Sequence, residues 1–286
     1  MALIGTLTSG VSALASFSKG LEVIGNNIAN VNTTGFKSSS ASFEQSFANT
    51  LRGSAPANGT VSDTSSIQIG AGVQVAGIAQ NFSQGALNST GNTTDLGISG
   101  NGFFIVKDAT SSAEYATRDG QFKVDSNGYL TTQSGLRLQG LTGASLATVG
   151  DVRIGASLPV GAALQSVSID SSGNVVEFYS DGTNATTSQI QLQNFNDPSA
   201  LMQTGGNLYT ELLNAGPVGG GILAGNNVPD TNGLGKIQSG TLEQSNVDLA
   251  QQFSNLITTQ RSFQAGSRLI TVSDTILDDV VNLKRS

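Results

Sequence analysis

The chain has 286 residues, long enough for one large or two small domains, and its 37% hydrophobic content can supply a core. It holds 36 Gly, only 12% charged residues and no Cys, His or Trp, at a formal net charge of −7. These absences exclude zinc centres built on Cys or His, cysteine nucleophiles and Ser-His-Asp chemistry, and the lack of a basic run excludes a nucleic-acid surface. No run approaches the roughly 18 to 20 apolar residues of a membrane span. A charge-poor, Gly-rich chain with frequent Ser, Thr and Asn suits a turn-rich β protein.

The first element predicted is a helix over residues 3 to about 31. Two apolar rows run along it at seven-residue spacing: Leu7, Leu14, Leu21 and Ile28, and beside them Leu3, Phe17, Ile24 and Val31, with Gly10 in the empty place. A repeat of seven keeps a narrow apolar stripe on one side of a helix and calls for a partner. The other side is Ser, Thr, Gly and Ala, with Lys19 and Glu22 its only charges, which suits close packing against several neighbours rather than a solvated face. The helix is expected to stop in the Asn-rich run from Asn26 to Asn32 and to turn at Gly35, after which Phe36 anchors the chain.

Phe43 and Phe47, four apart, suggest a short second helix from about Ser40 to Thr50. Residues 52–66 read as a flexible loop. Alternation then signals strands: Ile67, Ile69, Val73 and Val75, a turn at Gly77, and Ile78 to Phe82. Gly100-Asn101-Gly102 is a tight turn entering a buried strand at Phe103. Asp119-Gly120, Asp125-Ser126-Asn127-Gly128, Asp170 to Asn174 and Ser180-Asp181-Gly182 read as hairpin turns. Residues 214–240 are loop-rich, and a last helix follows from Val247, capped by Ser245 or Asn246 with help from Asp248. Its apolar row is Leu242, Leu249, Leu256, Phe263, Ile270 and Leu277; Gln260, Ser267 and Asp274 interrupt a second row.

The pattern therefore predicts a mainly β chain with long terminal α-helices. Residues 1–31 and 247–286 form an inner assembly domain, packed as an antiparallel-type coiled coil. Residues 32–66 and 216–246 are connectors, and 67–215 form an antiparallel β-rich outer domain, a sandwich or barrel. The residues expected to carry subunit packing are Leu7, Leu14, Phe17, Leu21, Ile24 and Ile28 on the first helix, with Leu249, Phe253, Leu256, Phe263, Ile270 and Leu277 on the last. No catalytic, cofactor or metal site is expected. Gly100-Asn101-Gly102 leads into a strand, not a helix, and Gly233-Leu234-Gly235-Lys236 lacks a P-loop's earlier glycine, so neither is a phosphate loop. Asp278-Asp279 point apart on a helix, and Asp119 and Asp125 serve turns.

Ile24-Gly25-Asn26-Asn27-Ile28-Ala29-Asn30, followed by Thr34-Gly35-Phe36-Lys37, resembles the N-terminal signature of the bacterial flagellar rod and hook proteins. Gly102-Phe103-Phe104, Thr117-Arg118-Asp119-Gly120, Gly206-Asn207-Leu208-Tyr209, Gly240 to Asp248 and Thr259-Gln260-Arg261-Ser262-Phe263 are similar to further landmarks of that family, in its order. The resemblance implies a non-enzymatic subunit, exported through the flagellar type III apparatus and polymerised into a helical tube, with the terminal helices lining its inner wall. It gives Asn26, Asn27, Asn30, Gly35 and Phe36 the role of motif turn and connector. The implied partners are copies of itself, neighbouring axial and junction proteins, the hook cap and the export apparatus, without nucleic acid, membrane insertion or cofactor. Val75-Ala76-Gly77-Ile78, Ile98 to Phe104 and Val281 to Arg285 look more like hook than distal rod, so hook is expected first and distal rod second. A coiled-coil-tethered adhesive or carbohydrate-binding β domain is the alternative from another class.

Overall fold

The computed structural model describes residues 2–54, 65–143, 146, 148–155, 162–224 and 227–283. Their contacts form two compact units, one of Met1–Ala29, Ser39–Asn81 and Val247–Ser286, the other of Asn30–Ser38 and Phe82–Asn246. The secondary structure is mainly antiparallel β, with one long helix near each end of the sequence.

In the first unit, α1 spans Ala2–Ala29 and α2 spans Leu249–Leu283. Neither contains Pro, and α2 starts at Asp248, whose carboxylate accepts hydrogen bonds from the Ala250 N–H at 2.9 Å and the Gln251 N–H at 3.3 Å. The cap expected at Ser245 or Asn246 is thus one turn's edge too early, because Asn246 is engaged within the other unit. The apolar row also begins later than its spacing suggests: Leu242 lies buried in a strand, Thr241–Glu243.

The two helices run antiparallel along a seam of small and polar residues. Thr6 meets Ser273 through their hydroxyls at 3.1 Å, and Asn27 donates to Gln252 at 3.2 Å. Between these ends, a Cβ added to Gly266 would lie 3.6 Å from the Ala13 Cβ, and one added to Gly20 would lie 3.5 Å from Thr259 Cγ2. Each pair lies seven residues on along α1 and seven back along α2. Two helices approach most closely where their side chains are smallest, so the Leu and Phe rows flank this seam instead of forming it. Leu7, Leu14, Leu21, Leu256, Phe263, Ile270 and Leu277 are accordingly half-buried.

Among the described residues, four strands complete this unit: β1 (Ser39–Gln45), β2 (Ala48–Arg52), β3 (Ile67–Gly70) and β4 (Val73–Gln80). β1 pairs with β4 and β2 with β3, both antiparallel. The helix expected over 40–50 is therefore absent. Phe43 is held not by Phe47 but by Phe17 of α1, edge to face at 5.6 Å, while β4 takes up the backbone hydrogen bonds of β1. Gly77 is likewise no turn; it lies within β4, beside a register shift opposite Ser42 and Phe43. Of the loop expected over 52–66, residues 55–64 lie outside the described residues.

The second unit contains β5 (Leu87–Ser89), β6 (Leu96–Ser99), β7 (Phe103–Lys107), β8 (Glu114–Thr117), β9 (Lys123–Val124), β10 (Leu130–Thr131), β11 (Arg137–Thr142) and β12 (Thr148–Asp151). It continues through β13 (Leu164–Ile169), β14 (Asn174–Tyr179), β15 (Asn184–Ile190), β16 (Leu192–Gln193), β17 (Met202–Gly205), β18 (Leu208–Thr210), β19 (Lys236–Ser239) and β20 (Thr241–Glu243). The main ladder runs β13-β14-β15-β11-β7-β8-β18-β17, while β19 pairs with β6 and β20 with β5. β7 is central because both its faces are buried: Phe104 and Val106 enter a cluster with Leu96, Phe122 and Leu138, while Phe103 and Ile105 enter another with Phe195, Tyr209 and Leu212. That explains a continuous apolar run where a half-exposed strand would alternate.

Turns at Asp125–Gly128, Asp170–Asn174 and Ser180–Gly182 join β9 to β10, β13 to β14 and β14 to β15 as the sequence suggests. Asp119-Gly120 does not form a hairpin. β8 pairs with β7 and β18, not β9, and the Gly120 carbonyl instead accepts from the Leu96 N–H at 3.0 Å. The absence of a Cβ lets the chain cross Leu96 at close range.

Candidate functional site

Within the second unit, the segments that follow α1 and precede α2 are fastened to the β domain at one place. Gly35, with φ +67°, donates its N–H to the Glu243 carbonyl at 2.8 Å, and the Ser38 N–H donates to Asn246 Oδ1 at 2.8 Å. Lys37 Nζ donates to Glu243 Oε1 and to the Ser83 carbonyl, both at 2.8 Å. Glu243 Oε1 also accepts from the Gly85 N–H at 2.8 Å, and its Oε2 faces Arg118 Nη1 at 3.4 Å. Arg118 in turn lies over the Phe103 ring, 5.0 Å from its centroid. The side chains of Lys37, Glu243 and Arg118 are 0%, 1% and 4% exposed.

Burial pulls the Lys37 ammonium below its ordinary value, against the raising influence of Glu243, and burial also lowers Arg118. Burial pushes the neighbouring Tyr209 hydroxyl up to about 12. One carboxylate thus compensates two desolvated cations, an arrangement whose value is positional rather than a source of large net stability. Thr34 adds two contacts: its hydroxyl donates to Asp119 Oδ1 at 3.0 Å, and its carbonyl accepts from Asn207 Nδ2 at 2.6 Å.

The residues expected from the sequence divide between these surroundings and the helical unit. Gly35 and Phe36 are buried in the connector, and Asn30 holds the turn, accepting from the Thr33 hydroxyl at 3.1 Å. Asn27 is buried in α1, whereas Asn26 lies exposed beside it. Ile24 is buried; Phe17 and Ile28 are half-buried. Leu249 and Phe253 face outward. Lys37, Arg118 and Glu243 were missed as a site. All three stood inside family motifs, but only folding brings positions 37, 118 and 243 together.

Exposed on α2 are Phe253 and Ile257, then Leu269, Val272 and Ile276 at three- and four-residue steps. The last three form an apolar helical stripe without a cover in the single chain. A groove of about 310 Å³ lies in the same unit, lined by Gly20, Ile24, Phe43, Gln252, Asn255 and Thr259 among others, without a charged residue. Among the described residues no helix is long and apolar enough to cross a membrane, and no three or more carboxylates converge into a metal-binding cluster.

Three family models match in chain order: flagella basal body rod protein over residues 7–37, flagellar hook protein FlgE/F/G D1 domain over 97–177, and flagellar basal body rod FlgEFG protein C-terminal over 238–283. The flagellar basal-body rod protein FlgG of Bacillus subtilis (strain 168) is 38% identical over 283 residues, which cover 99% of this chain and 100% of the relative. The chain belongs to the flagellar rod and hook protein family. The FlgG rod protein of Borreliella burgdorferi is 32% identical over 285 residues, again covering 99% of this chain and 100% of the relative. The FlgE hook protein of the same organism is 24% identical over 452 aligned positions, covering 99% of this chain and all of the relative.

Members of the rod and hook family are structural proteins of the bacterial flagellum, exported outside the cytoplasm, that self-assemble and contact other flagellar components; theirs is not an enzyme family. Membership assigns to this chain the class of structural flagellar subunit.

Proposed function

We propose that this chain is a subunit of the rod, in its distal part, and that its terminal helices form the assembly surface through which neighbouring copies pack. The observation that carries the rod reading is colinearity over full length. Relatives named as rod protein align from end to end over 283 and 285 residues, close to the 286 of this chain. The Borreliella burgdorferi hook protein aligns over 452 positions, so it holds sequence with no counterpart here.

Hook is the second reading. It is favoured by the hook-like segments at Val75–Ile78, Ile98–Phe104 and Val281–Arg285. A hook protein of Helicobacter mustelae that is 42% identical over 139 residues, 48% of this chain, supports it too. In either reading the inner domain is 1–31 with 247–286, joined by β1–β4, the two helices pair in coiled-coil fashion, and the part of 67–215 that follows β4 faces outward. The packing residues are the Leu, Ile and Phe rows of both helices. Neighbouring axial and junction proteins, the export apparatus and, for the hook, a cap are the partners this role requires.

The exposed apolar stripe of α2 supports the assembly role, since each large side chain buried on polymerisation contributes about 1.5 to 3 kcal/mol. Antibody labelling of isolated flagella under the electron microscope separates the readings. Label confined between the membranes is expected for a rod subunit, and label on the curved segment outside the envelope would overturn the rod reading in favour of hook. A variant lacking residues 1–30 should form no tubes; normal tubes would remove the helices from the assembly role.

A further inference from the structure

We propose that the hydrogen bond between Asn27 and Gln252 sets the axial register of the two terminal helices. The seam itself carries little register information. Its pairs are Thr6 with Ser273, Ala13 with Gly266 and Gly20 with Thr259. A slip of seven residues one way brings Ala13 opposite Thr259 and Thr6 opposite Gly266; the other way it brings Ala13 opposite Ser273 and Gly20 opposite Gly266. Every one of these combinations joins small side chains. The flanking row is no more selective, because Gly10, which faces Ile270 Cγ1, would face Phe263 or Leu277 after a slip.

Asn27 is different. It is 1% exposed, and its amide is fixed by the backbone of Ser39: Oδ1 accepts from the Ser39 N–H at 2.9 Å, while Nδ2 donates to the Ser39 carbonyl at 2.7 Å. This pairing fixes which amide atom is the nitrogen, since a flipped amide would set donor against donor. The remaining hydrogen on Nδ2 points to Gln252 Oε1 at 3.2 Å. In one slipped register the opposite residue is Ser245, before the start of α2. In the other it is Thr259, whose side chain is two atoms shorter than that of Gln252, so its oxygen falls short of Asn27. A buried N–H left without an acceptor disfavours the slipped states on the order of tenfold or more. A single buried polar pair in an otherwise permissive helical seam selects register at some cost in stability, as a core Asn does in coiled coils.

The chain contains no cysteine, so pairs of introduced thiols report register without background. In the full-length assembled protein, Ala13→Cys with Gly266→Cys is the in-register reporter, because 3.6 Å between these Cβ positions suits a disulfide. Ala13→Cys with Thr259→Cys, and Ala13→Cys with Ser273→Cys, are the slipped reporters, each about 10 Å away along the helix. Intramolecular products are counted on denaturing gels. With Gln252 intact, only the first pair should oxidise. Gln252→Leu, which keeps the bulk and removes the acceptor, should raise at least one slipped product about tenfold or more. Gln252→Glu, which keeps an acceptor, should retain the parent pattern. Gln252→Leu giving the parent pattern overturns the proposal. So does loss of the in-register product with no gain in slipped ones, since the bond would then hold the helices together instead of choosing between registers.

Discussion

Replacing Glu243 with Gln removes one charge and almost no volume, yet it leaves Lys37 and Arg118 buried without a counter-charge. Gln keeps an oxygen for the Gly85 N–H, so the backbone contact at 2.8 Å survives while both charge-assisted contacts weaken. Breaking a buried ion pair from one side typically costs about 3 to 5 kcal/mol. The lower end applies here, because burial has already drawn Lys37 downward and the ammonium can shed its proton once Glu243 no longer opposes that. For a unit of this size about 3 kcal/mol corresponds to a fall of roughly 6 to 12 °C in Tm. Differential scanning calorimetry of the full chain should show the fall in the transition of the β domain. Lys37→Met combined with Glu243→Gln should cost less than the two changes separately, since it removes one orphaned cation. A fall below about 2 °C for Glu243→Gln would refute the reasoning, and it would mean that water reaches the carboxylate.

Gly35→Ala should destabilise the connector by about 2 kcal/mol or more, because φ is +67° and a Cβ would lie 2.6 Å from the Asp119 nitrogen; thermal unfolding measures this. Gly266→Ala should raise helix stability by about 0.5 to 1 kcal/mol, its nearest neighbours lying at an ordinary 3.5 to 3.6 Å. Gly10→Ala should gain nothing, because its Cβ would sit 2.9 Å from Ile270 Cγ1; equal melting shifts in far-ultraviolet circular dichroism would contradict the pair. Burial raises Tyr179 and Tyr209 to about 12, above the ordinary 10.0, so their contribution is complete below pH 10 and is lost as pH rises toward 12. Lys37, being lowered, acts in the opposite sense up to its ordinary 10.5. Above that pH, the unfolding free energy from urea titrations should fall by about 1.4 kcal/mol per pH unit for each tyrosine, and Tyr209→Phe should remove half of that slope.

The long helices were legible because their signals are local: no Pro, a seven-residue repeat, and an Asn-rich stop after α1. Asp125–Gly128 and Asp170–Asn174 were legible for the same reason, since the side chain that shapes each turn sits inside it. Phe43 and Phe47 misled because four-residue spacing fits either periodicity when the deciding partners, Phe17 and β4, are distant in sequence. Asp119-Gly120 misled because a turn dipeptide also suits a chain crossing a neighbouring strand. The helical seam was hidden by attention to large residues, whereas the close approaches belong to Gly10, Gly20 and Gly266. Lys37, Arg118 and Glu243 could not be joined from sequence, since a charge compensated across more than 200 positions has no local mark.

The fastening of the two connectors has a topological consequence. With Gly35 bonded to Glu243 and Ser38 to Asn246, the 200-odd residues between them form a loop drawn shut at its neck. Within that loop Ser39–Asn81 packs with the helices, whereas Phe82–Asn246 packs with the connectors, so strands can be added to or removed from the latter part while both ends leave at the same spacing. A hook relative can therefore carry extra sequence and still align with 99% of this chain. In such an architecture, evolution can resize the β domain without redesigning the helices.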